Sequence, residues 1–380
     1  MDAVAAAGWL VARSNSGRRL LPVSCRNRAI LVIKVKKERI AVAMSGGVDS
    51  SVTACLLLER GYAVEGVFMA LAQPDLDSQI ARVTAVTEKI GVSLRVIDLS
   101  RAFADCVLAY FRTGYLAGRT PNPCMICNPN IKFGRLLDEV LRAGCARMAT
   151  GHYVRLASAE NGRVRLLTGL DPGKDQSYFL SQLTQEKLQR LLFPLGELHK
   201  KTVYEMAASF GIAGIHGRES QDVCFLKDTD VRSFLEKSAA GARKEGKIVD
   251  LQGNILGDHS GIHHYTVGQR RGLGLPDASP YYVVRLDGAG NAVVVGKKED
   301  LLSARAEVGK MNWLSGTAPP LPARYRVRIR YRHQPAPALV SLAGQDRVLL
   351  RFDTPQRAIT PGQFAVLYDN DEVIGGGELL

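Results

Sequence analysis

An apolar run, a glycine turn and a helix pattern open the regular part of the chain, and this order constrains the fold more than any other feature. Residues 40–44 have strand character, residues 45–49 form a turn, and residues 50–60 are typical of a helix that ends at Gly61. The alternation continues with strand candidates at 63–69, 92–97 and 145–150 and with helix candidates at 77–90 and 131–143. Strands that alternate with helices predict right-handed βαβ units around a covered parallel sheet.

The turn at residues 45–50, which reads Ser-Gly-Gly-Val-Asp-Ser, predicts a phosphate site. Glycines let the backbone approach an anion closely, and the N-terminus of the next helix offers free N–H groups and a partial positive charge. The turn lacks the lysine and the length of G-x-x-x-x-G-K-[ST], which excludes the P-loop that transfers a γ-phosphate.

Beyond about residue 240 the chain changes to short, glycine-punctuated apolar runs at 281–286, 292–295 and 325–331, which predict β structure with few helices. We therefore predict a basic leader at 1–37, an α/β domain at 38–238, a central β-rich domain at 239–300 and a C-terminal β domain at 301–380. The leader carries eight Lys and Arg against one acid. It is interpreted as a disordered extension, an upstream start or a transit peptide.

Charge and cysteine content narrow the class of protein. The formal net charge of +13 favours a polyanionic partner. No apolar stretch approaches the roughly 18–20 residues that span a bilayer, which predicts a soluble chain without a membrane partner. An odd number of cysteines, seven, without a convincing secretory signal favours a reducing compartment, with the cytoplasm as the default.

Two cysteine contexts stand out as candidates for chemistry. Residues 120–128 carry a C-x-x-C pair, Cys124 and Cys127, in which two prolines predict a rigid exposed loop before the helix at 131. Cys127 then lies near a helix N-terminus, where the helix dipole lowers a thiol pKa. Cys224 lies in a polar turn at 220–225. Three thiolates suit an iron–sulfur cluster better than structural zinc, which takes four ligands. The remaining cysteines, Cys25, Cys55, Cys106 and Cys145, are interpreted as small buried hydrophobes.

With these elements in place, the chain from residue 39 to 380 resembles the tRNA-specific 2-thiouridylases, the MnmA family. The matching strings are AMSGGVDSSV, GRTPNPCMICN, IKFG, ATGHYVRL, KDQSYFL, QDVCFL, HHYTVGQRRGLG, IRYRHQ and PGQFAVLYD. The resemblance implies an α/β fold: a parallel-sheet PP-loop ATP-pyrophosphatase domain, a small β-rich central domain and a C-terminal β-barrel-like domain.

The resemblance also implies the reaction. ATP with Mg²⁺ adenylates the C2 oxygen of the wobble uridine in Lys, Glu and Gln tRNAs, and sulfur displaces AMP to give 2-thiouridine. A cysteine desulfurase or a sulfur-relay protein supplies the sulfur as a persulfide. Cys224 matches the cysteine that carries the persulfide, and Cys127 matches the nucleophile that releases or transfers its sulfur, so the two are expected to pair as a disulfide during turnover.

By the same resemblance, further positions are expected to contact ATP and tRNA. The ATP-binding positions are Ala43, Met44, Ser45, Gly46, Gly47, Val48, Asp49, Ser50, Met69 and Gly151. The target base is expected near Asn122, Pro123 and Cys124. The tRNA-binding positions are His152, Lys174, Asp175, Gln176, Arg330, Tyr331 and Gln363.

Cys124 departs from the family pattern, because many members have an aspartate there that is proposed to act as an acid or base beside the target base. The cysteine puts that role in doubt and leaves two routes open. One is the persulfide route, and the other uses a [4Fe–4S] cluster on Cys124, Cys127 and Cys224.

Five arginines at alternate positions, from Arg324 to Arg332, predict a strand with all five guanidiniums on one face. Tyr325, Val327, Ile329 and Tyr331 would then face a core. The basic face is either an exposed strand face or a surface for the RNA backbone.

Two other classes of function remain open from the sequence. One is another PP-loop adenylating enzyme, such as an amidating synthetase or a lysidine synthetase. The other is a non-enzymatic RNA-binding protein with a redox-sensitive C-x-x-C pair.

Overall fold

The computed structural model describes residues 37–71, 73–212, 223–226, 230–238, 244–276, 278–344 and 346–380. Residues 1–36 of the predicted leader (1–37), Cys25 and residues 220–222 therefore lie outside the described residues. No helix in the described ranges is long and apolar enough to cross a membrane.

A parallel sheet forms the centre of the N-terminal region. Its strands are β1 (Arg39–Ala43), β2 (Ala63–Ala70), β3 (Ser93–Asp98), β4 (Arg147–Ala149) and β7 (Leu191–Leu192). Between β4 and β7 in the chain, β5 (Val154–Ser158) and β6 (Val164–Thr168) form a hairpin outside this sheet. The sheet has the order β3-β2-β1-β4-β7, and all its pairs are parallel. Ile40, Ala41 and Val42 are fully buried because β1 is a central strand with neighbours on both sides.

Helices connect these strands. They are α1 (Val48–Glu59), α2 (Leu76–Ile90), α3 (100–116), α4 (123–142), α5 (Gln185–Leu188), α6 (Lys200–Ser209) and α7 (Val231–Ser238). Both α3 and α4 are continuous helices whose middle turns, Ala104–Leu108 and Asn128–Leu136, have π-helical hydrogen bonding. The predicted α/β fold is confirmed, but α4 begins at Pro123 and not at residue 131.

The central β domain is a separate four-stranded sheet with its own core. Its strands are β8 (Gly246–Val249), β9 (Ile255–His259), β10 (Tyr282–Asp287) and β11 (Ala292–Gly296), in the order β10-β11-β8-β9. Ile248, Val283 and Val293 are buried in its core, beside a short 3₁₀ turn at Ile262–His264.

The C-terminal strands close into a barrel. They are β12 (Leu302–Trp313), β13 (Ala323–Arg328), β14 (Ala336–Leu342), β15 (Val348–Arg357), β16 (Phe364–Asp369) and β17 (Glu372–Leu379). Their order is β12-β15-β14-β13-β16-β17, and β12 also pairs with β17, which removes the free edges. The predicted barrel-like domain is confirmed.

The hairpin β5–β6 leaves the α/β region and extends the barrel sheet at β17. Glu372 of β17 forms ion pairs with Arg163 at 2.5 Å and Arg165 at 2.6 Å. Phe364 and Val366 of β16 belong to the same buried cluster as the α/β residues. The barrel is therefore packed directly on the region that carries the candidate site.

Candidate nucleotide-binding loop and thiol cluster

The predicted phosphate loop joins β1 to α1 and is folded by its own hydroxyls. Gly46 has a φ of +74°, and a Cβ there would lie 3.1 Å from Val83, so the position requires glycine. Ser50 Oγ accepts a hydrogen bond from the Ser45 N–H at 3.2 Å and donates to the Gly47 carbonyl at 3.0 Å. No side chain caps α1, so its first amides are suited to bind an anion.

Asp49, in the first turn of α1, is tied to two residues that the sequence analysis missed. Lys200 Nζ lies 2.7 Å and 2.8 Å from the two carboxylate oxygens, and the Tyr153 hydroxyl donates to Oδ1 at 2.8 Å. Lys200 is 7% exposed. The ion pair joins residues 151 positions apart, and no local pattern in the sequence marks it.

The other predicted ATP positions converge on the same edge of the sheet. Carboxyl ends of parallel strands share one edge, which brings Ala43, the last residue of β1, and the following Met44 next to Met69 near the end of β2. Gly151 follows β4, and a Cβ there would lie 2.9 Å from the backbone carbon of Asp49. Gly151 therefore lies directly against the loop.

The segment that carries the C-x-x-C pair is helical. Asn122 Oδ1 accepts the Cys124 N–H at 3.2 Å and caps α4, and Pro123 occupies the first turn. Proline is accommodated there because the first N–H groups of a helix have no partner within it. The prediction of an exposed proline loop that precedes the helix is therefore wrong. Cys124 and Cys127 lie three residues apart on one side of α4.

Cys124, Cys127 and Cys224 are close enough to affect one another electrostatically. The pKa of Cys127 is raised to about 12: burial is the main cause, Lys132 lowers it, and the neighbouring thiols of Cys224, Cys124 and Cys106 raise it. The Cys224 side chain reaches the surface, yet burial by the surrounding atoms, with Cys124, raises its pKa to about 11. The predicted lowering of the Cys127 pKa by the helix dipole is wrong, because burial dominates. All six cysteines in the described ranges are free thiols.

His152 lies between the phosphate loop and α4, the helix that carries Cys124 and Cys127. It follows Gly151, and its ring packs against Phe133 of α4 with the ring centres 5.7 Å apart. Its Nδ1 lies 2.7 Å from Thr150 Oγ1. Burial, with the nearby Lys132, holds the pKa of His152 well below its usual range, so the imidazole is neutral at neutral pH. Lys132 thus influences both His152 and the thiols.

The barrel forms hydrogen bonds with the segment that precedes α4. Gln363 Nε2 donates to the Thr120 carbonyl at 2.8 Å, and the Thr120 N–H donates to the Pro361 carbonyl at 2.9 Å. Tyr331 packs on Phe179 with the ring centres 4.4 Å apart. Two of the predicted tRNA positions, Gln363 and Tyr331, therefore lie where the barrel meets the α/β region.

Three further predicted tRNA positions lie at 174–176, in the turn and loop after β6. The Gln176 side-chain oxygen accepts the Tyr153 N–H at 3.1 Å, and Lys174 is partly exposed beside it. Asp175 is buried and accepts hydrogen bonds from the N–H groups of Gly169 and Ser177 at 3.1 Å each.

The alternating arginines do not form one basic face. The strand β13 ends at Arg328, which forms an ion pair with the buried Asp175 at 3.0 Å. Arg330 points inward and donates to the Ala358 carbonyl at 2.7 Å. The prediction that all five guanidiniums lie on one basic face is wrong. Arg328 turns inward to the Asp175 carboxylate, and Arg330 turns inward to backbone carbonyls.

The rest of that prediction agrees with the structure. Val327 and Ile329 are buried, and Tyr325 packs against the barrel core. Arg324, Arg326 and Arg332 are exposed, although Arg324 forms an ion pair with Asp353 at 2.8 Å.

Comparison with known proteins gives consistent matches along the chain. Family models match residues 38–228 (tRNA methyl transferase HUP domain), 232–297 (tRNA methyl transferase PRC-barrel domain) and 303–379 (Aminomethyltransferase beta-barrel domain). The tRNA-specific 2-thiouridylase MnmA of Desulfotalea psychrophila is 45% identical over 344 residues, which cover 90% of this chain and 99% of that protein. The enzyme of the same name from Syntrophotalea carbinolica is 46% identical, with 91% and 99% covered.

The chain belongs to the MnmA family. The family that the sequence strings predict is thereby confirmed. Likeness to solved structures is weaker: a 4-thiouridine synthetase–RNA complex with bound ATP has a TM-score of 0.34 at 18% identity, over 53% of this chain and 49% of that chain.

Within this MnmA-family chain, three features of the site were not predicted from the sequence. They are the Lys200–Asp49 ion pair, the pairing of the hairpin β5–β6 with the barrel sheet, and the hydrogen bond from Gln363 to Thr120. Each is a contact between distant parts of the chain. Lys132 had a signal, since it lies in the IKFG string, but its effect on the thiols follows only from the fold.

Proposed function

We propose that this chain is an ATP-dependent tRNA-uridine 2-sulfurtransferase. It adenylates the C2 oxygen of the wobble uridine in Lys, Glu and Gln tRNAs and transfers sulfur to C2, which releases AMP and pyrophosphate. One observation carries the proposal: a phosphate loop and a group of interacting thiols lie side by side, joined by Gly151, His152 and Lys132. An adenylating enzyme that transfers no sulfur does not require the group of interacting thiols.

The first step is the activation of the base. The amides at the start of α1 and the glycine turn bind the phosphates, and Lys200 and Tyr153 hold the Asp49 carboxylate in one orientation. Bound Mg²⁺ would supply positive charge that stabilises the departing pyrophosphate. Attack of the uridine C2 oxygen on the α-phosphorus forms the adenylate, and this turns a poor leaving group into a good one.

The second step is sulfur transfer. An external persulfide donor, such as a cysteine desulfurase or a sulfur-relay protein, leaves Cys224 as a persulfide. Its terminal sulfur attacks C2, and AMP departs with the former C2 oxygen. The Cys127 thiolate then attacks Cys224 Sγ, which forms a Cys127–Cys224 disulfide and leaves the sulfur on the base as the thiocarbonyl. A cellular thiol reductant must then reduce the disulfide.

A cluster-dependent variant of the sulfur step is the second candidate, because three thiols are present where many relatives have two. Cys124, Cys127 and Cys224 would hold a [4Fe–4S] cluster through soft thiolate donors, and the cluster would supply the site for sulfur transfer. Iron and labile sulfide analysis of anaerobically purified protein separates the routes. Iron bound through these cysteines supports the cluster, and colourless, iron-free, active protein excludes it.

We further infer the division of labour along the chain. Residues 38–238 carry the catalysis, residues 239–300 form the central domain, and residues 301–380 contact tRNA. The partly exposed Lys174 and the exposed Arg332 lie close enough to Tyr331 to oppose the rise in its pKa that burial causes, and Gln363 donates to the carbonyl of Thr120, two residues before Asn122. A wobble uridine flipped out of the anticodon loop would reach this region.

The deciding experiment is a thiolation assay with the full chain, ATP, Mg²⁺, unmodified tRNA and a persulfide donor. We expect 2-thiouridine in nucleoside mass spectrometry, formed together with AMP. Cys224→Ser should abolish 2-thiouridine, whereas Cys55→Ser, a buried cysteine of α1 outside the thiol group, should retain it.

Each alternative class predicts a different result in the same assay. An amidating or lysidine synthetase would release pyrophosphate equally well with Cys224→Ser. A non-enzymatic RNA-binding protein would show no tRNA-stimulated pyrophosphate release. Absence of 2-thiouridine from all three tRNAs would refute the proposed function.

A further inference from the structure

Glu236, His263 and His264 bring three metal-ligating side chains together away from the phosphate loop and from Cys124, Cys127 and Cys224. Each offers one ligand atom, and these atoms lie within 4.8 Å of one another. Glu236 lies in α7, and both histidines lie in the 3₁₀ turn Ile262–His264 of the central domain. We propose that these three residues bind a divalent transition-metal ion, with Zn²⁺ as the best match, which joins α7 to the central domain.

His263 is the independent observation that points to a ligand. His263 is 3% exposed, and neither ring nitrogen has a hydrogen-bond partner among the residues that the structure describes. Buried polar atoms in proteins are nearly always satisfied, so an imidazole with two unpaired nitrogens requires an explanation. A neutral imidazole with an unpaired ring nitrogen is a common metal ligand.

His264 and Glu236 have the geometry of the remaining ligands. His264 Nε2 lies 3.1 Å from Glu236 Oε1, and the ring centres of the two histidines are 4.2 Å apart. Tetrahedral zinc with bonds of about 2.0–2.2 Å separates its ligand atoms by about 3.3–3.6 Å, so small side-chain movements suffice. His264 Nδ1 lies 3.2 Å from Ser260 Oγ, and this hydrogen bond holds the ring in one orientation.

The donor set decides the class of ion. Two imidazoles and one carboxylate suit Zn²⁺ and similar ions, whereas Mg²⁺ and Ca²⁺ prefer oxygen ligands. Arg232 is the cation that faces the site, with Nε 3.2 Å from Glu236 Oε1. Its positive charge opposes that of a metal ion, so Arg232→Gln should strengthen metal binding.

The position of α7 gives the ion a structural consequence. Phe234 of α7 packs against Phe225 with the ring centres 5.2 Å apart, and Phe225 directly follows Cys224. An ion that holds α7 on the central domain therefore restrains the turn that carries Cys224.

The test measures Zn²⁺ binding by calorimetry to the full chain in which Cys124, Cys127 and Cys224 are replaced by Ser, so that their thiols do not bind the metal. We expect one ion per chain and a rise in Tm on its addition. Glu236→Gln or His264→Gln should weaken binding about tenfold or more. His259→Gln is the matched control, because His259 is a buried histidine of the same domain whose Nε2 is 3.1 Å from the Asn291 carbonyl oxygen.

A second probe serves if the serine variants do not fold. Co²⁺ bound to the intact chain by nitrogen and oxygen ligands absorbs in the visible range without thiolate charge-transfer bands, and Glu236→Gln should remove that component alone. The proposal is overturned if no ion binds, or if Glu236→Gln and His264→Gln both bind the probe ion as tightly as their parent. Either result would leave the cluster as a His264–Glu236–Arg232 ion-pair group only.

Discussion

Asp49 is the residue at which the phosphate loop is anchored to the rest of the α/β region. Its carboxylate receives Lys200 from α6 and Tyr153 from the segment after β4. Lys200 also lies over the Tyr204 ring at 4.9 Å. A buried lysine in two close contacts has little freedom, so the orientation of Asp49 is fixed before ATP arrives.

Replacing Lys200 tests this anchor. Lys200→Met should reduce tRNA-stimulated pyrophosphate release about tenfold or more, because Asp49 loses its fixed orientation and keeps an uncompensated charge. It should also lower stability by about 2–4 kcal/mol in urea unfolding. Lys201→Met is the control, since that side chain is 89% exposed, and it should behave as the parent. Equal loss in both variants would argue against the anchor.

Cys127 shows how burial sets reactivity at single-residue scale. A thiol whose pKa is about 12 is protonated at neutral pH, and only the thiolate reacts. Below its pKa the thiolate fraction falls tenfold per pH unit, so at pH 8 it is about a thousandfold smaller than for a thiol with pKa 9. The charge of Lys132 works in the opposite direction and favours the thiolate.

Alkylation kinetics measure this effect. The rate at Cys127, followed by peptide mass spectrometry, should still be rising with pH at pH 10, and Cys224, with a pKa of about 11, should react faster at every pH. Lys132→Met should slow Cys127 further, whereas Lys174→Met should not. A plateau for Cys127 near pH 8 would contradict the assignment of a raised pKa.

At the scale of elements, the hairpin β5–β6 depends on a close approach of its backbone to a glycine. Gly196 lies so near β5 that a Cβ there would be 1.9 Å from the Val154 carbonyl oxygen. The Gly196 carbonyl also accepts a hydrogen bond from the N–H of Leu170, just beyond β6, at 2.9 Å. The hairpin therefore reaches the barrel only if position 196 has no side chain.

Gly196→Ala should move the hairpin and destabilise the protein by about 2–4 kcal/mol in urea unfolding, because the nearest atoms are backbone and cannot rotate away. Gly173→Ala is the matched control, since its nearest neighbour is the Asp171 side chain at 3.3 Å. We expect a change below about 1 kcal/mol there. A neutral Gly196→Ala would show that the hairpin adjusts freely.

At the scale of the whole molecule, one buried ion pair connects the barrel to the α/β region. Arg328 of β13 meets Asp175, and their side chains are 17% and 3% exposed. Asp175 also accepts the Ser177 hydroxyl at 3.0 Å. The predicted tRNA-binding stretch 174–176 and the barrel arginines are therefore held in one arrangement.

Removing the arginine leaves a buried carboxylate without its partner. Arg328→Met should cost about 3–5 kcal/mol and lower Tm by several degrees in calorimetry. Arg324→Met should stay within about 1 kcal/mol of the parent, because its partner Asp353 lies in an exposed pair. Equal effects in the two variants would refute a special role for the buried pair.

The sequence by itself determined the α/β region, the phosphate loop and the family. The first three strands and the first two helices lie within two residues of their predicted bounds, because hydrophobic periodicity and glycine ends are local signals. The conformation of the loop at 45–50 depends only on residues close to it in the sequence. The helix start at Pro123 was not predicted, because a proline can either end a helix or occupy its first turn. Only the Asn122 cap distinguishes the two cases here.

Only the tertiary structure decided the electrostatics and the joints between domains. The pKa of Cys127, the pairing of Arg328 and the anchor at Asp49 depend on which distant groups share a buried space. The alternating arginines have the correct period for a strand, yet burial turns two of them from a basic surface into internal ties. A one-dimensional pattern specifies which side a residue faces, whereas its charge environment depends on the elements that fold over that side.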